Sequence, residues 1–290
     1  MKLERLFAVG LLSAGLMFTA CSEEEEDTTD NGGTGNGGDD TTEVPVSITV
    51  DGTNAPTVGD IIYLSEDTLL QDSIDMAAGE NASWNFDWLV EHDVDTMTFI
   101  DPSTTASAAV FTDANLAIET EPMSHMYLNS SATGVEVLGM SANMGSPIPV
   151  ALGFQDPMSL IFYPMTNGDN FSDDFSSINT IPFSIDLGNG VSVDSMRMAR
   201  TGSVSLAVNG WGELTSPKGT YEVIRIERTE ETSEVVEMRM VIMGVGSWTS
   251  VENNSDSRTT VQFQANEFAF PLVEFEMDSL NNPMKANFLK

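Results

Sequence analysis

The sequence predicts an all-β protein, built as an antiparallel β-sandwich or a curved half-barrel sheet with few short helices. Three observations carry that expectation. Apolar and polar residues alternate over short runs, as in Val204/Leu206/Val208 and Val273/Phe275/Met277. Turn-forming pairs punctuate the runs, among them Asp51-Gly52 and Asp101-Pro102. With 23 Gly and 12 Pro spread along 290 residues, long helices are excluded over most of the chain.

Taken in order, residues 46–50 form the first alternating run (V-S-I-T-V), which stops at Asp51-Gly52. A short apolar run, 61–64, follows Val58-Gly59-Asp60. Helix is expected only over 65–78 and 112–118. Residues 82–89 alternate around Trp84, Phe86 and Trp88, and residues 94–100 around Val94, Met97 and Phe99. A strand is expected at 134–140, then at 181–187, 203–208, 221–228, 234–243, 259–265 and 272–277. One buried and one wet face is the antiparallel pattern. The stretch 141–180 holds several Pro and Gly and reads either as a long loop or as a join between two subdomains. The body is then one large β domain or two smaller ones.

Charge narrows the partners. The chain carries 45 Asp+Glu against 11 Lys+Arg, a formal charge of −34. Nucleic acid is excluded as a partner, because phosphate binding needs clustered cations. Direct docking on anionic lipid is disfavoured for the same reason. The cations are also unevenly placed: after Arg5 none occurs until Arg197, and nine lie between Arg197 and Lys290. Surface acid selected for solubility accounts for this, and a cation-bridged N-terminal half is the sharper alternative.

The N-terminus supplies an address. Lys2 and Arg5 precede an uncharged, apolar or small run over 6–17, the form of an export signal and too short to span a bilayer. Phe18-Thr19-Ala20-Cys21 then resembles the bacterial lipobox. The resemblance implies cleavage before Cys21 and lipidation of that residue, the one cysteine in the chain. Two or more acyl chains suffice for stable anchoring. Ser22 followed by Glu23-Glu24-Glu25-Glu26-Asp27 resembles the export signal of Bacteroidota surface lipoproteins, which implies an outer-membrane, lipid-anchored protein facing the cell exterior. The expected organisation is a signal peptide over 1–20, a lipidated cysteine and disordered acidic, Gly-rich tether over 21–43, and a β-rich body over 44–290.

The body carries a second resemblance. Trp84-Asn85-Phe86-Asp87-Trp88-Leu89, the segment from Gly210-Trp211-Gly212 through Pro217-Lys218-Gly219-Thr220-Tyr221, and Phe270-Pro271-Leu272-Val273-Glu274 are similar to motifs of uncharacterised secreted proteins of the Bacteroidota. That group brings no activity to carry over.

Catalytic patterns are missing from the sequence itself. No G-x-S-x-G occurs, and His92 and His125 are the two imidazoles available as a general base. No H-E-x-x-H or cysteine cluster points to zinc. Calcium is the one ion the oxygen ligands suit, with Asp169, Asp173 and Asp174 as its candidates and no other cofactor expected. Among the aromatics, Trp84 and Trp88 are expected in the core with Phe86. Trp211, between two glycines near a turn, is the candidate exposed ring for stacking on a ligand. No catalytic residue is assigned. The expected function is therefore a non-catalytic binding or interaction module meeting a glycan or a protein at the cell surface. The alternatives are a glycan hydrolase using two carboxylates and a carrier of an apolar ligand, for which 17 Met would suit an adaptable pocket.

Overall fold

Period-two alternation becomes strand along most of the body. The computed structural model describes residues 47–71, 73–121, 123–143 and 149–290. The expected signal peptide, Cys21 and the expected tether lie outside these residues. The strands are β1 (Thr49–Val50), β2 (Ile61–Asp67), β3 (Gly79–Asn85), β4 (Asp93–Ile100), β5 (Leu116–Glu121), β6 (Ser124–Ser131), β7 (Gly134–Ala142) and β8 (Val150–Phe162). They continue with β9 (Met165–Thr166), β10 (Asn170–Gly188), β11 (Val191–Ser216), β12 (Gly219–Ile242), β13 (Val245–Gln264), β14 (Val273–Met277) and β15 (Pro283–Leu289).

The all-β class holds, and the sandwich does not. Twelve strands pair in the order β10-β8-β7-β6-β5-β4-β2-β15-β14-β13-β12-β11, and β11 pairs back to β10, closing an antiparallel barrel. Closure rests on β11, whose 26 residues divide one edge between two neighbours. Val191 to Ala207 pair with β10, and Gly210 to Thr215 pair in parallel with β3. A bulge between Val208 and Gly210 separates the two registers on that strand. The glycines of Gly210-Trp211-Gly212 have a steric origin here. A Cβ on Gly212 would stand 2.0 Å from the Ala82 carbonyl oxygen, so only glycine lets β3 lie against this edge.

Two further expectations are corrected. Among the described residues of 65–78 and 112–118 none is helical. Ser65 and Asp67 are paired to Phe288 and Ala286 of β15, and Leu116 and Ile118 to Leu128 and Met126 of β6. The helical elements among the described residues are two single turns, Gly52–Asn54 and Pro102–Thr104, each capped by an aspartate side chain, Asp51 and Asp101. The stretch 141–180, read as loop or join, contributes β8 and the first half of β10 to the barrel wall. Its polar inward positions hide the strand alternation.

The lumen is the first core. Phe99, Leu116, Ile118, Leu128, Val135 and Val137 on one wall meet Leu206, Val208, Ile224 and Ile226 on the other. Between them lie Ile48, Val50, Tyr163 and Met165, brought in by the small β1–β9 pair. This pair plugs one end of the barrel. A second core lies outside the wall, where Trp84, Phe86 and Leu89 cover Phe263, Phe275 and Phe288. Arg225, buried at 7% exposure, holds part of that cover through a 2.6 Å bond from its Nε to the Met76 carbonyl and a further bond to the Asn209 side chain.

A smaller cluster of Phe111, Ala117 and Tyr127 covers the outside of β5 and β6, and on β10 and β12 the outer wall is wet. Asp174, Glu227 and Glu231 point outward and are exposed. Among the described residues no helix is long and apolar enough to cross a membrane.

Candidate functional site: a charged belt on the inner wall

Beyond the plug, the inward positions of the long strands stop being apolar. Along β12 they run Ile224, Ile226, Arg228, Glu230, Thr232, Glu234, then Val236. Cross-strand register extends the change sideways: Arg228 faces Thr260 on β13, Thr260 faces Glu276 on β14, and Glu276 faces Lys285 on β15. One row further toward the plug lie Gln262, Glu274, Asn287 and Glu66. A further apolar cluster, Leu152, Ile181, Met196 and Val236, closes the polar stretch on its far side. The belt is thus a deliberate interruption of an otherwise apolar face, since burying charge without need is costly.

Ion pairs organise the belt. Arg258 reaches Glu274 at 3.4 Å and Glu276 at 3.0 Å, while Lys285 reaches Glu66 at 3.2 Å and Glu276 at 3.6 Å. Gln262 donates to Glu274 at 2.7 Å. Deeper in, Glu230 is shared: one oxygen takes Arg200 at 3.3 Å and the other takes Arg228 at 3.4 Å. The Arg228 side chain is only 11% exposed, whereas that of Arg258 is 44% exposed, so solvent reaches the outer part of the belt. Burial depresses the Arg228 pKa, with Glu230 and Glu274 opposing the shift and Arg258 adding to it. Burial pushes the Glu234 carboxyl above its ordinary value, with Arg200 pulling it down and Glu252 pushing it up.

The residues singled out from sequence fall elsewhere. Trp211 is not an exposed platform: at 5% exposure it packs in the lumen core, turned inward by the bulge at Val208/Gly210. Trp84 and Phe86 are core residues of the outer cluster, as their alternation implied. The three calcium candidates do not converge. Asp169 accepts the Thr166 amide in a turn, and Asp173 accepts the Ser159 amide from inside the wall. Asp174, the next residue along β10, points to the opposite face. Among the described residues no group of three His, Cys, Asp or Glu side chains is placed to hold a metal.

The two histidines are equally dispersed. His92 Nδ1 lies 3.1 Å from Asp67, a carboxylate that also accepts the Leu69 and Val90 amides and so fastens the outer cover. His125 stands in a cross-strand row with Glu119 and Ser141, the residue types of a hydrolytic triad. Ser141 is only 2% exposed, and neither its Oγ nor His125 Nδ1 has a hydrogen-bond partner. The row therefore lacks the hydroxyl–imidazole hydrogen bond by which a base activates a serine.

Sequence reasoning missed the belt. Its one usable signal was the crowding of nine cations into 197–290; four of them, Arg200, Arg228, Arg258 and Lys285, now line the lumen. The chain matches no family model, no curated protein and no solved structure.

Proposed function

We propose that this protein is a lipid-anchored surface lipoprotein of the outer membrane whose barrel is a non-catalytic binding module. The anchor reading rests on the lipobox at Cys21 and the acidic run after Ser22. The binding reading is supported by one observation above others. The lumen is stopped by its own apolar plug at one end and lined beyond it by paired, partly exposed charges. That arrangement suits a polar ligand held by hydrogen bonds. It speaks against a carrier of apolar ligands at the plugged end, where Ile48, Val50, Tyr163 and Met165 already fill the apolar lumen.

The test uses full-length protein from membranes, incubated with soluble cell-surface polysaccharides and peptides. Retention of a polymer without change in its length supports a binding module. Release of new reducing ends, abolished by Glu234→Gln, would replace it with the hydrolase reading. For the address, Cys21→Ser is expected to lose labelled palmitate and the membrane fraction together. Retention of both would overturn the anchor.

A further inference from the structure

We propose that the paired tips of the β10–β11 and β12–β13 hairpins dip into the interfacial layer of a phospholipid bilayer without net charge. The inference goes beyond the binding-module reading and does not use the lumenal belt.

The two hairpins end side by side, because Val191 pairs with Ile242 where β11 meets β12. β10 begins beside the plug at Asn170 and reaches its tip at Gly188, so both tips lie at the far end of the barrel. β14 leaves β13 after Thr259. From Val245 to Arg258, β13 pairs with β12 alone among the described residues, and its tip reaches beyond β14. Leu187, Ile242, Met243 and Val245 are exposed at these tips. No charge accompanies them: residues 187–193 and 240–251 hold no Asp, Glu, Lys, Arg or His, in a chain of formal charge −34. Met243 is the sharpest case. Its φ of +52° is a left-handed conformation that suits Asn or Gly, and Asn189 takes the equivalent place in the neighbouring turn at +55°. A long apolar side chain is thus held 88% exposed where a polar residue would serve the turn better.

Behind the tips the outer face changes character. Arg239 pairs across the strands with Trp248, and the Arg197 guanidinium lies 4.6 Å from the Trp248 ring. Asp194 and Glu237 neutralise Arg239 and Arg197 at 2.7 and 2.5 Å. Tryptophan rings and arginines on apolar stems settle at the headgroup level of a bilayer. Arg239 is four residues from Met243, about 13 Å along a strand and roughly 10 Å along the axis of a tilted one. Interfacial segments bury their apolar face to a similar depth, about 5–10 Å.

A protein partner fits less well. Four aliphatic side chains offer at most about 400 Å², half of the roughly 800 Å² each partner gives to a stable complex. A second copy of the chain would also bring its own excess of acid against this one. A bilayer asks for no matching shape, and one without net charge does not repel the body.

The test places one thiol in the full-length protein. Cys21→Ser with Met243→Cys puts it at the tip, and Cys21→Ser with Lys218→Cys puts it at the opposite end, in the β11–β12 turn. Each thiol carries an environment-sensitive fluorophore, and the probe is vesicles of phosphatidylcholine and phosphatidylethanolamine. The tip label should shift to the blue and become shielded from iodide, while the label at 218 should do neither. Adding Ile242→Thr and Val245→Thr, both suited to a strand, should raise the lipid concentration at half-shift at least about tenfold, as the loss of two exposed aliphatic contacts implies. A tip label unmoved at about 1 mM lipid, labels at both ends moving together, or a half-shift unchanged by the two threonines would each overturn the bilayer contact. A blue shift that grows with protein concentration in the absence of vesicles would replace the bilayer with a second copy of the chain.

Discussion

Replacing Trp211 by alanine separates two roles the residue could have, lumen packing and ligand stacking. At 5% exposure, Trp211 belongs to the cluster that includes Tyr163, Val208 and its cross-strand partner Ile224. A buried tryptophan hides up to about 250 Å². At ~25 cal/mol per Å² that is roughly 6 kcal/mol, an upper bound because the unfolded chain already hides part of it. Alanine keeps a fraction of that burial, and measured Trp→Ala truncations in cores cost about 3–5 kcal/mol. The plug cannot slide in to fill the gap, since Thr49 and Val50 are fixed in register with Thr166 and Met165. Urea unfolding of Trp211→Ala at 25 °C, followed by circular dichroism, should therefore show a loss of about 4 kcal/mol with an unchanged slope. A loss below about 1 kcal/mol, in the range of ordinary surface changes, would refute the lumenal placement and return Trp211 to the surface.

Other perturbations test the elements around it. Gly212→Ala puts a methyl group against the Ala82 carbonyl and should cost about 1–3 kcal/mol, with faster amide exchange confined to β3; unchanged exchange there would mean that β3 does not lie on β11. Arg225→Met removes the bonds to the Met76 carbonyl and to Asn209, so thermolysin should cut the 68–78 segment faster while the barrel survives; equal cutting rates would show that the arginine does not hold the cover. Burial, with the Asp51 charge behind it, pushes the Tyr163 phenol up to about 12 from an ordinary value of 10.0. The folded state thus resists an ionisation that the unfolded chain accepts. That contribution is complete below pH 10 and is lost as pH rises toward 12, a loss of up to roughly 2–3 kcal/mol. Tyr163→Phe should flatten the alkaline fall in stability measured between pH 9 and 11. A curve as steep as the parent's would place the fall elsewhere.

What the sequence could and could not reveal follows from which face of a strand carries information. Alternation is visible where one face is apolar and the other wet, as at Val204/Leu206/Val208, and there strand and inward face are both legible. Along β11 from Ser192 to Arg200 and along β10 from Ser172 to Asn179, the inner face is partly polar, the period fades, and long strands look like short ones separated by loops. Shortened strands suggest a sandwich; strands of 19 to 26 residues with bulges close a barrel instead. Trp211 was misplaced for a related reason. Flanking glycines suggest a turn, whereas Gly210 and Gly212 mark the close approach of a parallel strand from more than a hundred residues earlier. Pairing between distant strands leaves no local trace, so neither the belt nor the lumenal tryptophan could be read from the chain alone.

The same geometry turns the charge asymmetry into a prediction about salt. Of the nine cations between Arg197 and Lys290, eight make ion pairs, and four of these eight face the lumen. Added NaCl has two opposed effects. It weakens ion pairs, but exposed pairs contribute only about 0–1 kcal/mol each, and the deepest lumenal pair, Arg228 with Glu230, is shielded from screening by burial. It also screens the mutual repulsion among the acids that give the chain a formal charge of −34, with Asp174 on β10 and Glu227 and Glu231 on β12 standing on the outer wall. The second effect is the larger, because among the described residues acids outside ion pairs far outnumber those within them and repulsion acts among all of them. The thermal midpoint of the full-length protein should accordingly rise between 0.02 and about 0.5 M NaCl, as the Debye length falls from roughly 20 Å to about 4 Å. In Glu274→Gln, which removes a lumenal partner of Arg258, the rise should persist. A midpoint that falls with salt would mean that the ion pairs, and not the release of outer-wall repulsion, govern the stability of the barrel.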